Sequence, residues 1–125
     1  MNREILFRGK AGDEWVYGDL GRLKNAITIT KRNFIYPYIV MPETVGQFTG
    51  LTDKNGVKIF EGDILKYRNV LNKPHVGTVK YYANAKPVAD NGYYIVDLAE
   101  CNPDDFEIIG NIFDNPELLK GEENE

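Results

Sequence analysis

The chain contains no serine, one histidine and one cysteine. Without serine there is no Ser–His–Asp triad, and a nucleophilic enzyme would have to rely on Cys101 with His75 as its base. No motif supports that pair; the simpler expectation is a loop histidine and a small, half-buried cysteine. A lone cysteine excludes an internal disulfide and a zinc site built on cysteines, and it fits a reducing compartment. No run approaches the ~20 apolar residues of a membrane span. The apolar stretch in MNREILFRGK is too short for a secretory leader, so the expectation is a protein of the cytoplasm. The glycines are scattered and none opens a helix, which leaves phosphate-loop and dinucleotide chemistry without support.

What the chain does have is β-forming sequence. It has 125 residues, 42% of them hydrophobic, with 8 tyrosines and 6 phenylalanines. That composition suits one domain with an ordinary apolar core. Charge is uneven. Residues 1–87 hold 14 Lys and Arg against 8 Asp and Glu, a net +6, and residues 88–125 carry a net −10, together −4. Such asymmetry suggests nucleic-acid binding, an acidic tail or charge-steered assembly, but in a β-rich fold the two parts can also interleave and cancel.

Read in order, residues 3–10 alternate as a strand, with Ile5 and Phe7 on one face and Glu4, Leu6 and Arg8 on the other. Ala11, Gly12 and Asp13 turn the chain into a second strand at 14–19, which Gly18 and Gly21 end. Residues 26–30, AITIT, form another strand by β-branched content. Residues 34–40 are apolar and aromatic, but Pro37 removes a ladder donor and puts this strand at a sheet edge or a bulge. Further strands are expected at 45–51, 57–60, 64–67, 76–82, 93–98 and 106–113, with loops at 69–74 and 83–91. Pro116 at a first helical position, behind Asp114 or Asn115 as cap, starts a short helix that Gly121 stops.

Regularly spaced short strands with one helix give an all-β fold. We expect a small SH3-like barrel or a sandwich-like pseudobarrel, with an N-terminal hairpin extension and one short C-terminal helix. The chain is read as one domain over 1–121. It comprises a β extension (1–41), a barrel-like core (42–113) and the helix (114–121), followed by an acidic frayed tail at 122–125.

The stretch PETVGQFTGLTDKNGVKIFEGDILKYR (42–68) carries the densest turn chemistry. Asn55 and Gly56 reverse the chain, and Glu61, Gly62 and Asp63 turn a corner. A calcium loop starting at Asp53 fails, because its fifth and twelfth positions are Val57 and Ile64. Glu61 and Asp63 could be read as a carboxylate pair, but a structural corner with the carboxylate on backbone N–H groups is the stronger reading. No catalytic or metal-ligating residue and no cofactor is expected.

Three pieces of the sequence resemble the YopX family, short proteins encoded by phages and prophages. They are Arg3, Phe7 and Arg8 at the start, PETVGQFTGLTDKNGVKIFEGDIL in the middle and IIGNIFDNPELL near the end. The resemblance spans nearly the whole chain, although residues 69–105 match no motif. It implies a β-rich phage protein without an established activity, in a family some of whose members assemble into oligomers. It carries over no catalytic residue.

Two surfaces remain as functional candidates. Lys66, Tyr67, Arg68, Lys73, Lys80, Tyr81 and Tyr82 fall on or between two adjacent strands and form a candidate nucleic-acid face, where rings stack on bases and cations hold phosphates. The edge strand around 34–40 offers pairing between chains. The preferred reading is a non-enzymatic phage or prophage accessory protein of the host cytoplasm. It would act through self-assembly as a homo-oligomer, or through contacts with a phage or host protein, away from membranes. The alternative is a nucleic-acid-binding β-barrel.

Overall fold

The structure, a computed structural model, describes residues 4–68, 71–82 and 86–119. The expected stop at Gly121 and the acidic tail at 122–125 lie outside the described residues, as does Arg3. The chain forms two compact units, residues 1–50 and 51–125.

The first unit is an antiparallel sheet in the order β4-β3-β2-β1-β5. Strands β1 (Phe7–Ala11) and β2 (Glu14–Leu23) form the expected N-terminal hairpin, joined by Gly12 and Asp13. β2 runs four residues beyond the expected end, because it changes partner midway. Residues 14–18 pair with β1, and residues 19–23 pair with β3 (Ala26–Thr30). Gly18 sits at the change of partner, where a Cβ would lie 2.0 Å from the carbonyl oxygen of Thr30. The glycine that looked like a strand end is needed for close approach instead.

Strand β4 (Tyr38–Val40) starts directly after Pro37 and is the terminal strand of its sheet, as a proline without an N–H requires. Residues 34–37 are loop rather than strand. A single 3₁₀ turn, Pro42–Thr44, follows and ties the end of β4 to β1. The Met41 N–H donates to the Lys10 carbonyl (2.9 Å) and the Lys10 N–H to Thr44 Oγ1 (2.8 Å). Val16, Ile29 and Val40 form this unit's core, flanked by Phe7, Ile27 and Val45. On β1 the buried residues are Arg8 and Gly9; just before it Leu6 is buried and Ile5 exposed. Arg8 is accommodated there with its guanidinium 4.6 Å from the Trp15 ring centre, an arrangement that hydrophobic alternation could not predict.

Strand β5 (Gly46–Thr52) crosses the boundary between the units, and β6 (Lys58–Phe60) follows it. The second unit's main sheet is antiparallel, in the order β10-β9-β8-β7-β11. It comprises β7 (Asp63–Arg68), β8 (Pro74–Tyr82), β9 (Lys86–Asp90), β10 (Ile95–Asp97) and β11 (Glu107–Asn111). The last strand lies beside the first, but among the described residues the sheet stays open, so the fold is all-β without a closed barrel. β9 replaces part of the loop expected at 83–91. Its Pro87 is tolerated because β10 pairs only with residues 88–90, leaving the proline beyond that ladder. Ile59, Leu65, Tyr67, Val79, Leu98 and Phe106 fill the core with Ala89. The helix is short: residues 117–119 are helical.

Candidate functional site

The Asp53 turn is built on one carboxylate. The Gly56 N–H donates to the Asp53 carbonyl (3.0 Å) and the Asp53 N–H to the Val57 carbonyl (2.9 Å), closing the hairpin. Gly56 takes φ +78 while Asn55 stays in the ordinary negative-φ range, so Gly alone supplies the left-handed residue. Asp53 Oδ1 accepts the N–H groups of Asn55 (2.9 Å) and Val57 (3.0 Å), and Oδ2 accepts that of Ile108 on β11 (3.0 Å). Burial works to raise its pKa, but the three N–H groups together with Lys54 outweigh it and hold the carboxyl below its ordinary value. At the next corner Gly62 takes φ +94, and the buried Asp63 Oδ2 accepts the Phe60 N–H at 2.7 Å. The Gly62 N–H donates to the Val79 carbonyl (2.9 Å), and its carbonyl accepts the Ile112 N–H (2.9 Å). Glu61 is half-buried beside this corner. The Asp53 and Asp63 carboxylates are occupied by backbone donors. Among the described residues no three His, Cys, Asp or Glu side chains gather as a metal site.

The basic and tyrosine residues divide between the two faces of the second sheet. Pairing of Lys66 with Val76 and of Arg68 with Pro74 puts Lys66, Arg68, Lys80 and Tyr82 on one face by alternation. Tyr67 and Tyr81 fall on the opposite face, where Tyr67 is a buried core residue. Lys73 is exposed in the connection before β8. Carboxylates accompany the cations. Lys80 Nζ lies 3.4 Å from Asp90 Oδ2, to which Tyr82 also donates (3.2 Å), and Glu107 stands opposite Lys66. The Gly92 N–H is the main influence lowering the Asp90 pKa, with Tyr82 and Lys80 adding to it against burial. The face is mixed in charge.

His75 lies between two tyrosines, 6.2 Å from the Tyr67 ring centre and 5.7 Å from that of Tyr94. The Cys101 thiol donates to the Asp97 carbonyl (3.4 Å). Burial, then the charges of Asp105, Asp97 and Glu100, push its pKa up, so it stays protonated and is a poor nucleophile.

A feature that sequence reading missed lies at the end of β7. Two adjoining clefts, of about 480 and 520 Å³, share Tyr67, Arg68, Asp105 and Phe106 among their lining residues. Lys54, Lys66 and Glu107 bound the first, and Leu71, Tyr94, Val96 and Cys101 bound the second. The floor is aromatic, with the Tyr67 and Phe106 rings 5.6 Å apart and tilted by 59°. Asn102 caps a 3₁₀ turn, Pro103–Asp105, through a capping box that fixes Asp105, whose Oδ2 accepts the Asn102 N–H at 3.2 Å. Across the cleft, Arg68 Nη1 donates to the Asn72 carbonyl at 2.8 Å. The Asn102-Pro103-Asp104-Asp105 sequence was legible as a turn, but nothing in it pointed to Arg68.

The first unit carries an exposed apolar patch. Phe34, Ile35 and Tyr36 are 59%, 83% and 77% exposed, and Ile39 on β4 is 61% exposed. Lys31 Nζ lies 5.7 Å from the Phe34 ring centre and 4.9 Å from that of Tyr38, holding this loop against the sheet edge.

The fold thus defines an all-β protein of open antiparallel sheets, with an apolar edge in one unit and an aromatic cleft in the other. The sequence model of the YopX family, described as YopX protein, matches residues 7–120, and the chain belongs to that family. It is similar to protein EF1440 from Enterococcus faecalis, whose crystal structure it matches with a TM-score of 0.58. The two are 27% identical over 94% of this chain and 99% of that one. No curated protein matches the chain. Among the described residues no helix is long and apolar enough to cross a membrane.

Proposed function

We propose that this YopX-family chain is a non-enzymatic phage or prophage accessory protein of the host cytoplasm that works by pairing with copies of itself. The observation that carries this reading is the exposed apolar loop Phe34-Ile35-Tyr36, continuous with Ile39 on the terminal strand β4. A terminal strand presents backbone donors and acceptors to another chain, and native edges are normally blunted by charge. Here Pro37 shortens the edge, yet the side chains beside it remain apolar. A second copy can pair antiparallel with the same edge about a two-fold axis, which makes one apolar patch sufficient for both partners.

The non-enzymatic part rests on the protonated Cys101 thiol and on carboxylates committed to backbone N–H groups. The nucleic-acid alternative draws less support, because the tyrosines and cations of that face are divided and its lysines stand beside carboxylates.

Light scattering on the eluting protein tests the reading. The unaltered chain should elute as a dimer or larger, and Ile35→Glu with Ile39→Lys should elute as a folded monomer. A monomeric unaltered chain, or an oligomer indifferent to both substitutions, would sink it. Oligonucleotide binding that weakens with salt would favour the alternative instead.

A further inference from the structure

Where its two parts meet, the cleft at the end of β7 brings together an aromatic floor, one guanidinium and one carboxylate, those of Arg68 and Asp105. Arg68 and Asp105 line both parts of the cleft, yet no ion pair joins them. Each is held by its own loop, Arg68 by the Asn72 carbonyl and Asp105 by the Asn102 N–H. The other charged groups, Lys54, Lys66, Asp104 and Glu107, line only the first part of the cleft, where Lys54 Nζ lies 3.5 Å from Glu107. The second part, lined by Leu71, Tyr94, Val96, Cys101 and Phe106, is mostly apolar with a few placed polar groups, the usual form of a small-ligand site.

The charges narrow the ligand. A plain carboxylic acid would meet Asp105, and a plain amine would meet Arg68. A ligand carrying both charges at one end and an apolar group at the other satisfies each group with its opposite. We propose that this cleft binds a free amino acid with an aromatic or branched aliphatic side chain. Arg68 takes the α-carboxylate through its planar fork of donors. Asp105 takes the α-ammonium, and the side chain lies against Tyr94, Val96 and Phe106. The protonated Cys101 thiol keeps the inner wall uncharged. This site lies within the second unit and does not depend on the apolar edge of the first.

Titration of the full chain with L-phenylalanine, followed by backbone amide NMR, tests the assignment. Amides of Tyr94, Val96, Cys101 and Phe106 should shift in a saturable way. N-acetylphenylalanine lacks the ammonium and phenylalaninamide lacks the carboxylate; each should bind about tenfold or more weakly, the loss expected for one charged hydrogen-bonded contact. Glycine, with no side chain, should bind weakly as well. Arg68→Gln should abolish the preference for phenylalanine over phenylalaninamide, and Asp105→Asn the preference over N-acetylphenylalanine. Both substitutions are at exposed positions and keep a hydrogen-bonding group, so the fold should persist. Absence of saturable shifts, equal binding of the blocked analogues, or unchanged preferences in the two variants would overturn the proposal.

Discussion

Asp53 shows how much one residue can organise. The residue is 3% exposed, and its carboxylate accepts three backbone N–H groups, two within its own turn and one from Ile108. Asp53→Ala would leave buried donors without acceptors and should cost about 3 kcal/mol in urea unfolding. A carboxylate whose folded pKa lies below its unfolded value stabilises the fold above the unfolded value. That contribution is lost as pH falls through the folded value. Stability should therefore decline below about pH 4, the ordinary aspartate range, and Asp53→Asn should flatten this part of the profile. An acid limb unchanged in Asp53→Asn would show that other carboxylates control it. From the sequence Asp53 was legible as a turn residue, because Asp, Asn and Gly together specify local hydrogen bonding. Its link to Ile108 was not, since the two stand 55 positions apart. Arg8 was hidden for a different reason: burial of a charge depends on the aromatic ring across the hairpin.

At the scale of elements, most strands were readable and their ends were not. β3 and β7 were plain from β-branched and apolar content, whereas β9 was masked by its composition, Lys-Pro-Val-Ala-Asp. Tertiary pairing on both sides, not propensity, makes it a strand. β2 was cut short because glycine reads as a terminator, and only the change of partner reveals why glycine is needed. Gly18→Ala places a methyl group 2.0 Å from the Thr30 carbonyl oxygen, so β2 and β3 must separate locally. We expect a loss of about 2–3 kcal/mol, seen as a lower melting temperature. An unchanged melting temperature would mean that β3 moves aside freely.

For the whole molecule, the cleft was the least legible feature. Its walls come from Arg68, Tyr94 and Phe106, on separate segments that no local pattern connects. The charge asymmetry was legible, and it offers a test of how copies associate. Assembly through the apolar edge of β4 should persist at high salt, because salt screens charges without weakening apolar contact. A charge-driven oligomer would instead dissociate, and would also loosen when residues 116–125 are deleted. Sedimentation velocity across a salt series separates the two outcomes.

The bond from Ile108 to Asp53 also imposes an order in time. As the chain leaves the ribosome, residues 53–57 can close their turn at once, using the donors of Asn55 and Val57. The second carboxylate oxygen must wait until Ile108, 55 residues further on, has followed. Until then a charged group that is buried in the finished fold has to remain in contact with water. The central motif therefore begins to fold early, but it is completed only when nearly the last strand has been made.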